Sequence, residues 1–173
     1  MEVKNIAIIV DLRMSPLDLN KIHDNVKGTE FTSLASRWLK MKLPPENVYV
    51  AFYRSGKFSV TGIHNFKDIE KIVNRVLEIL KKIEINVNEV KIKINTMTCI
   101  DKIQLNHNLD SIFPHLDPYK ASYELEQFPG LIYKDWDTAF ILFNSGKIVI
   151  VGSKSMEMAE TSLKKFKKVI NNI

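Results

Sequence analysis

Apolar and polar residues alternate along several short stretches of this chain and recur at helical spacing along two longer ones. Alternation sends successive side chains to opposite faces of a strand. It predicts strands at about 36–43, 48–53 and 57–62, and again at about 131–135, 138–143 and 147–152. A further strand opens each half, at about 4–12 and 92–101, and leads to a short helix beginning near Asp18 and near Asp110, both capping residue types. Helical spacing of Phe66, Ile69, Ile72, Val73, Val76, Leu77 and Leu80 predicts a long helix over about 65–82. Ser155 as a cap, followed by Met156, Ala159, Leu163, Phe166 and Ile170, predicts another over about 155–171. Between the last two strands of each set stands Ser-Gly-Lys, a tight turn whose glycine supplies a positive φ.

These elements come in two copies. Arg54-Ser55-Gly56-Lys57 recurs as Asn144-Ser145-Gly146-Lys147, 90 residues later. Gly62 and Gly152, Asn5 and Asn95, Asp11 and Asp101, Leu19 and Leu109, and Ile22 and Ile112 keep that spacing. Glu30-Phe31 recurs as Ser122-Tyr123 at a spacing of 92, so the second copy gains two residues in a loop. The pattern predicts a tandem duplication, residues 1–88 and 89–173, with the halves sharing one continuous antiparallel sheet. Helices at matched places in each copy cover one face of such a sheet. The other face then carries Ala139, Ile141, Phe143, Val149 and Val151, fringed by Lys147. Two readings stay open for it: a face closed by a second layer or a dimer, or a surface for a ligand that is partly apolar and negatively charged at its edges.

Composition narrows the choice. The 173 residues are 45% hydrophobic and 26% charged, as in ordinary globular domains, and their one cysteine, Cys99, allows no internal bridge. No apolar run reaches the roughly 20 residues of a membrane span, and the N-terminus carries no secretory hydrophobic region, so an intracellular protein off the membrane is expected. Twenty-five basic against 20 acidic residues leave a net charge of +5, which permits nucleic-acid binding without demanding it.

The residues from Tyr123-Glu124-Leu125-Glu126-Gln127-Phe128-Pro129-Gly130-Leu131-Ile132-Tyr133-Lys134, then Phe140-Ile141-Leu142-Phe143-Asn144-Ser145-Gly146-Lys147 through Val151-Gly152-Ser153-Lys154-Ser155, closely resemble the second repeat of TATA-box-binding proteins. The first half matches through Ser55-Gly56-Lys57, Thr61-Gly62 and the tandem order. The resemblance implies an α+β saddle, a ten-stranded curved antiparallel sheet with four helices on its convex face. It also implies the family's action, wedging apolar side chains into a DNA minor groove and kinking the duplex. Of the family's four wedging phenylalanines, Phe128 and Phe143 are present, Tyr53 replaces the third, and the fourth aligns near Ser36, with Leu34 and Trp38 as the alternatives that could substitute for it. A weaker kink beside the first repeat is therefore expected. Asn5 and Asn95 match the asparagines that bond central base edges, with Ala7 and Met97 two residues on; Thr61 is kept and its counterpart is Val151. Ile141 and Val149 fall on the same face. Lys42, Lys57, Lys134, Lys147 and Lys154 match phosphate-facing positions.

By the same resemblance, Glu124, Glu126 and Gln127 stand in the loop that meets transcription factor B. The implied partners are TATA-like double-stranded promoter DNA and that factor, with a homodimer through the sheet face as an alternative when DNA is absent. Abundant isoleucine and lysine suit an archaeal source and a nucleoid location. The four histidines lack zinc spacing, Ser-Gly-Lys lacks the context of a phosphate loop, and no catalytic constellation is present, so no metal, cofactor or enzymatic activity is expected. Two functions remain: a transcription initiation factor that binds and bends promoter DNA, and a divergent paralogue that regulates through protein contacts.

Overall fold

A computed structural model describes residues 1–32 and 38–173 of the chain. The chain divides into two compact units, one of Asn5–Asn95 and one of Met1–Lys4 with Thr96–Ile173.

Strand β1 (Glu2–Asp11), which belongs to the first unit from Asn5 on, leads to helix α1 (Leu19–Asn25), then to β2 (Thr29–Phe31), β3 (Trp38–Leu43), β4 (Val48–Tyr53), β5 (Lys57–Ile63) and helix α2 (Asp68–Lys82). The strands run antiparallel in the order β2-β3-β4-β5-β1. Alternation decides which side chains enter the core: Ile6, Ile8 and Val10; Leu39, Met41 and Leu43; Val48, Val50 and Phe52; Phe58, Val60 and Ile63 are all buried. Helix α1 lies against β2 and β3, and Leu19 and Ile22 of α1 with Ile72, Val73, Val76 and Leu80 of α2 complete the core. Asp18 caps α1 by accepting from the Lys21 N–H at 3.0 Å.

The second unit repeats this plan with β6 (Lys91–Lys102), which belongs to it from Thr96 on, α3 (Leu109–Ile112), a 3-10 turn at Phe113–His115, β7 (Ala121–Ser122), β8 (Leu131–Asp135), β9 (Thr138–Leu142), β10 (Lys147–Ser153) and α4 (Met156–Asn171). The strand order is β6-β10-β9-β8-β7, again antiparallel. Phe166 of α4 stacks on Phe140 of β9, with ring centroids 4.6 Å apart and planes 6° from parallel. That contact seats α4 on the core face, where Leu131, Tyr133, Leu142, Ile148 and Ile150 are also buried. Ser155 caps α4 as expected, its Oγ accepting from the Met158 N–H at 3.1 Å.

The α+β class expected from the sequence is the fold found. Alternation did not reveal β2 and β7, which have three and two residues and are too short to show a period. The start of α3 is corrected: Asn108, not Asp110, is the cap, its side chain accepting from the Ser111 N–H at 2.9 Å. Ser36, Leu34 and the first residues expected of β3 lie outside the described residues.

Two turns account for the uneven spacing of the copies. Trp136 and Asp137 alone join β8 to β9, both at positive φ (52° and 55°), whereas β3 and β4 are joined by four residues, 44–47. The glycine of Ser-Gly-Lys is required twice over. At Gly56, φ is 78° and an added Cβ would stand 1.4 Å from the Met14 carbonyl oxygen.

Candidate nucleic-acid interface

The side chains that alternate with the core define an open face in each unit. In the first, Asn5, Ala7, Ile9 and Asp11 of β1 share parity away from the core, as do Lys40 and Lys42 of β3, Tyr49, Ala51 and Tyr53 of β4, and Lys57, Ser59 and Thr61 of β5. Strand register sets them in rows: Trp38–Tyr53–Lys57–Asp11, then Lys40–Ala51–Ser59–Ile9, then Lys42–Tyr49–Thr61. Trp38 and Tyr53 stack, with centroids 6.1 Å apart and planes 29° from parallel, and the Tyr53 hydroxyl lies 3.1 Å from Ser59 Oγ. Lys42 Nζ stands 5.8 Å from the ring centre of Tyr49, which is 56% exposed. Asn5 Oδ1 accepts the Gly62 N–H at 2.8 Å, so the asparagine's NH2 group is the part left to donate.

The second unit's face is more apolar. Its middle row reads Ile132–Ile141–Val149–Ile100, where the first unit has lysine, alanine, serine and isoleucine. Beside it run Lys134–Ala139–Val151–Thr98. Phe128, 40% exposed, meets Phe143 edge to face at a centroid distance of 6.0 Å and an angle of 66°. Gly130 makes room for that arrangement: a Cβ there would stand 2.6 Å from Phe128 Cε1 and 2.7 Å from Ile141 Cγ2. Lys134, Lys147 and Lys154 are exposed and have no carboxylate partner among the described residues.

Most residues singled out in the sequence therefore sit on these faces: Asn5, Lys42, Tyr53, Lys57 and Thr61 on one; Phe128, Lys134, Ile141, Phe143, Lys147, Val149 and Val151 on the other. Ala7 keeps the parity of the open face but is only 6% exposed. Lys154 follows β10 directly. Two residues leave the face. Met97 is fully buried, on the parity of Cys99, and Asn95 shares that parity. The cause is a one-residue error in matching the copies. Ile6 pairs with Ile63 whereas Met97 pairs with Ser153, and Leu12 N donates to Gly56 O at 2.9 Å as Ile103 N does to Gly146 O at 2.8 Å. The opening strands thus correspond at a spacing of 91, and Thr96 takes the place of Asn5. Apolar parity carried that signal, since Met97, Cys99 and Ile103 match Ile6, Ile8 and Leu12; the coincident asparagines and aspartates obscured it.

Glu124, Glu126 and Gln127 are exposed on a turn in which Glu124 O accepts from the N–H groups of Gln127 and Phe128, both at 2.9 Å. Among the described residues, no group of three or more His, Cys, Asp or Glu is placed to hold a metal ion. An apolar face carrying amide and hydroxyl groups and fringed by ammonium groups suits a ligand with sugars, acceptor edges and phosphates.

The fold defines a tandem-repeat α+β protein. The family model described as "Transcription factor TFIID (or TATA-binding protein, TBP)" matches residues 1–83 and 91–173, and the chain belongs to that family. It is 35% identical to the TATA-box-binding protein of Thermococcus sibiricus, over 95% of this chain and 89% of that one. It is 31% identical to that of Methanocaldococcus jannaschii, over 99% and 95%. The solved structure of Methanococcus jannaschii TBP matches with a TM-score of 0.88 at 30% identity, covering 99% of this chain and 98% of that one. The family is not an enzyme family, and family and fold together support a TATA-box-binding transcription initiation factor. No helix among the described residues is long and apolar enough to cross a membrane.

Proposed function

We propose that this protein binds TATA-like promoter DNA in the minor groove and bends it, with its two repeats, 1–88 and 89–173, each taking part of the site. The observation that carries this reading is the Phe128–Phe143 pair, held at the edge of a lysine-fringed apolar face by the bare backbone of Gly130. Inserted at a base step, the pair replaces base stacking with aromatic contact, while Lys134, Lys147 and Lys154, with Lys42 and Lys57 of the first repeat, neutralise phosphates. Asn5 donates to the acceptor edges of the groove, and Thr61 stands on the neighbouring strand on the same face. The loop bearing Glu124, Glu126 and Gln127 docks transcription factor B, and the work is done at chromosomal DNA inside the cell.

A gel-shift titration on TATA-containing and scrambled duplexes, with and without transcription factor B, tests the reading. The expected result is preference for the TATA duplex and tighter binding when the factor is present. Equal, weak binding to both duplexes would favour a regulator acting through protein contacts. Sedimentation without DNA checks for a homodimer through the open faces.

A further inference from the structure

We propose that Trp38 and Tyr53 form the aromatic wedge of the first repeat, the indole replacing, from strand β3, the ring that Phe128 supplies from a loop in the second. The proposal rests on the minor-groove reading above. Register makes the correspondence. Leu39 faces Phe52 as Leu131 faces Leu142, and Tyr53 and Phe143 are the next residues. Trp38 therefore holds the place of Gly130. In the second repeat a side chain at that place is excluded, because the Phe128 ring fills the space into which its Cβ would project. A side chain at Trp38 is thus directed to where the Phe128 ring lies in the other copy. The two aromatic pairs have nearly the same centroid distance, 6.1 Å for Trp38–Tyr53 and 6.0 Å for Phe128–Phe143.

The pairs differ in chemistry. Trp38 and Tyr53 lie 29° from parallel and present a layered slab, whereas the phenylalanines meet edge to face at 66°. A phenol hydroxyl carried among bases needs a partner, and Tyr53 has one in Ser59 Oγ at 3.1 Å. The ligand of this pair is a base step of duplex DNA, and the serine aligned with Phe128, Ser36, is not required to wedge.

The chain has two tryptophans, and Trp136 packs against Tyr133, Phe140 and Lys165 in the other unit. In the Trp136→Phe protein, Trp38 is then the sole tryptophan. Titration with a TATA duplex, with binding followed separately by gel shift, should strongly quench Trp38 emission as bases stack on it. Trp38→Ala should weaken binding roughly tenfold or more, the scale of losing one base–aromatic stack, and reduce the bend read by energy transfer between end dyes, while Trp38→Phe restores most of both. Circular dichroism checks that Trp38→Ala is folded; if it is not, the emission titration decides. Binding and bending with unchanged Trp38 emission would overturn this proposal and leave the minor-groove reading standing. No binding of any duplex by the parent protein would overturn both.

Discussion

At the scale of single residues, two kinds of side chain on the open faces make opposite demands. Asn5 is half structural: its Oδ1 satisfies the Gly62 N–H, and only its NH2 group remains to donate. Asn5→Asp keeps the acceptor but removes the donor and adds a negative charge. It should leave the melting temperature within a few degrees of the parent and weaken TATA binding by roughly tenfold or more, as expected for losing a base-edge contact of about 1–3 kcal/mol. A duplex titration beside a thermal melt separates the two effects, and unchanged affinity would remove Asn5 from the interface. Phe143→Ala forfeits roughly 1.5–3 kcal/mol of side-chain burial while the cost of unstacking the base step remains. It should remove most of the bend measured by energy transfer. With Trp38 and Tyr53 as a second wedge, Tyr53→Ala should also reduce the bend, so the sequence's expectation of a weak first repeat is put to the same measurement.

At the scale of elements, the turns carry the constraints. Gly28 and Gly56 have almost the same φ, 79° and 78°, yet a Cβ at Gly28 meets nothing within 4 Å and one at Gly56 meets a carbonyl oxygen at 1.4 Å. Gly28→Ala should cost about 1–2 kcal/mol, the strain of the left-handed backbone alone. Gly56→Ala should cost clearly more, because β5 must also shift from the segment after β1. Urea unfolding of both variants checks this, and equal losses would show that the turn relaxes freely. The loop after α3 is tied to the edge of the sheet by Lys120, whose Nζ lies 2.8 Å from Asp135 Oδ2. This hydrogen bond raises the Lys120 pKa and lowers that of Asp135. The lowered carboxylate contributes stability above its unfolded value that is lost as pH falls through the folded one; the raised ammonium contributes below its unfolded value and loses it as pH rises through the folded one. Asp135→Asn should therefore flatten the melting temperature at both the acidic and the strongly alkaline ends relative to the parent. Lys120 is 41% exposed, so the effect is small.

For the whole molecule, the proposed interface is electrostatic in reach and apolar at its centre. If Lys42, Lys57, Lys134, Lys147 and Lys154 all meet phosphates, log affinity falls with log salt at about −0.9 for each contact. Lys147→Ala should weaken TATA and scrambled duplexes alike and flatten the slope by about one contact's worth. A slope near zero in the parent would mean that the faces serve protein contacts instead. The more apolar face of the second repeat also predicts unequal division of labour: truncating Ile141 should cost more affinity than truncating Ala51 to glycine, since more apolar area leaves the groove.

The strands β4, β8, β9 and β10, the helices α2 and α4 and the duplicated plan were all legible from alternation, helical spacing and Ser-Gly-Lys, because each is a local pattern whose period the backbone imposes. The two aromatic residues Phe128 and Phe143 were legible for a different reason, their place in a long ordered motif. What the sequence could not decide was register. Copies matched by identity put Asn95 with Asn5 and Met97 with Ala7, but a one-residue change in spacing moves every side chain of a strand to the other face. Only the pairing of Met97 with Ser153, and of Ile6 with Ile63, shows that Thr96 is the counterpart of Asn5. Trp38 was in view only as one of two neighbours of Ser36 that could substitute for the missing ring; it aligns with a glycine, and its stacking on Tyr53 is a contact between strands. Local periodicity is written in the order of residues, whereas the meeting of side chains across strands is settled by hydrogen-bonded pairing between segments far apart in the chain.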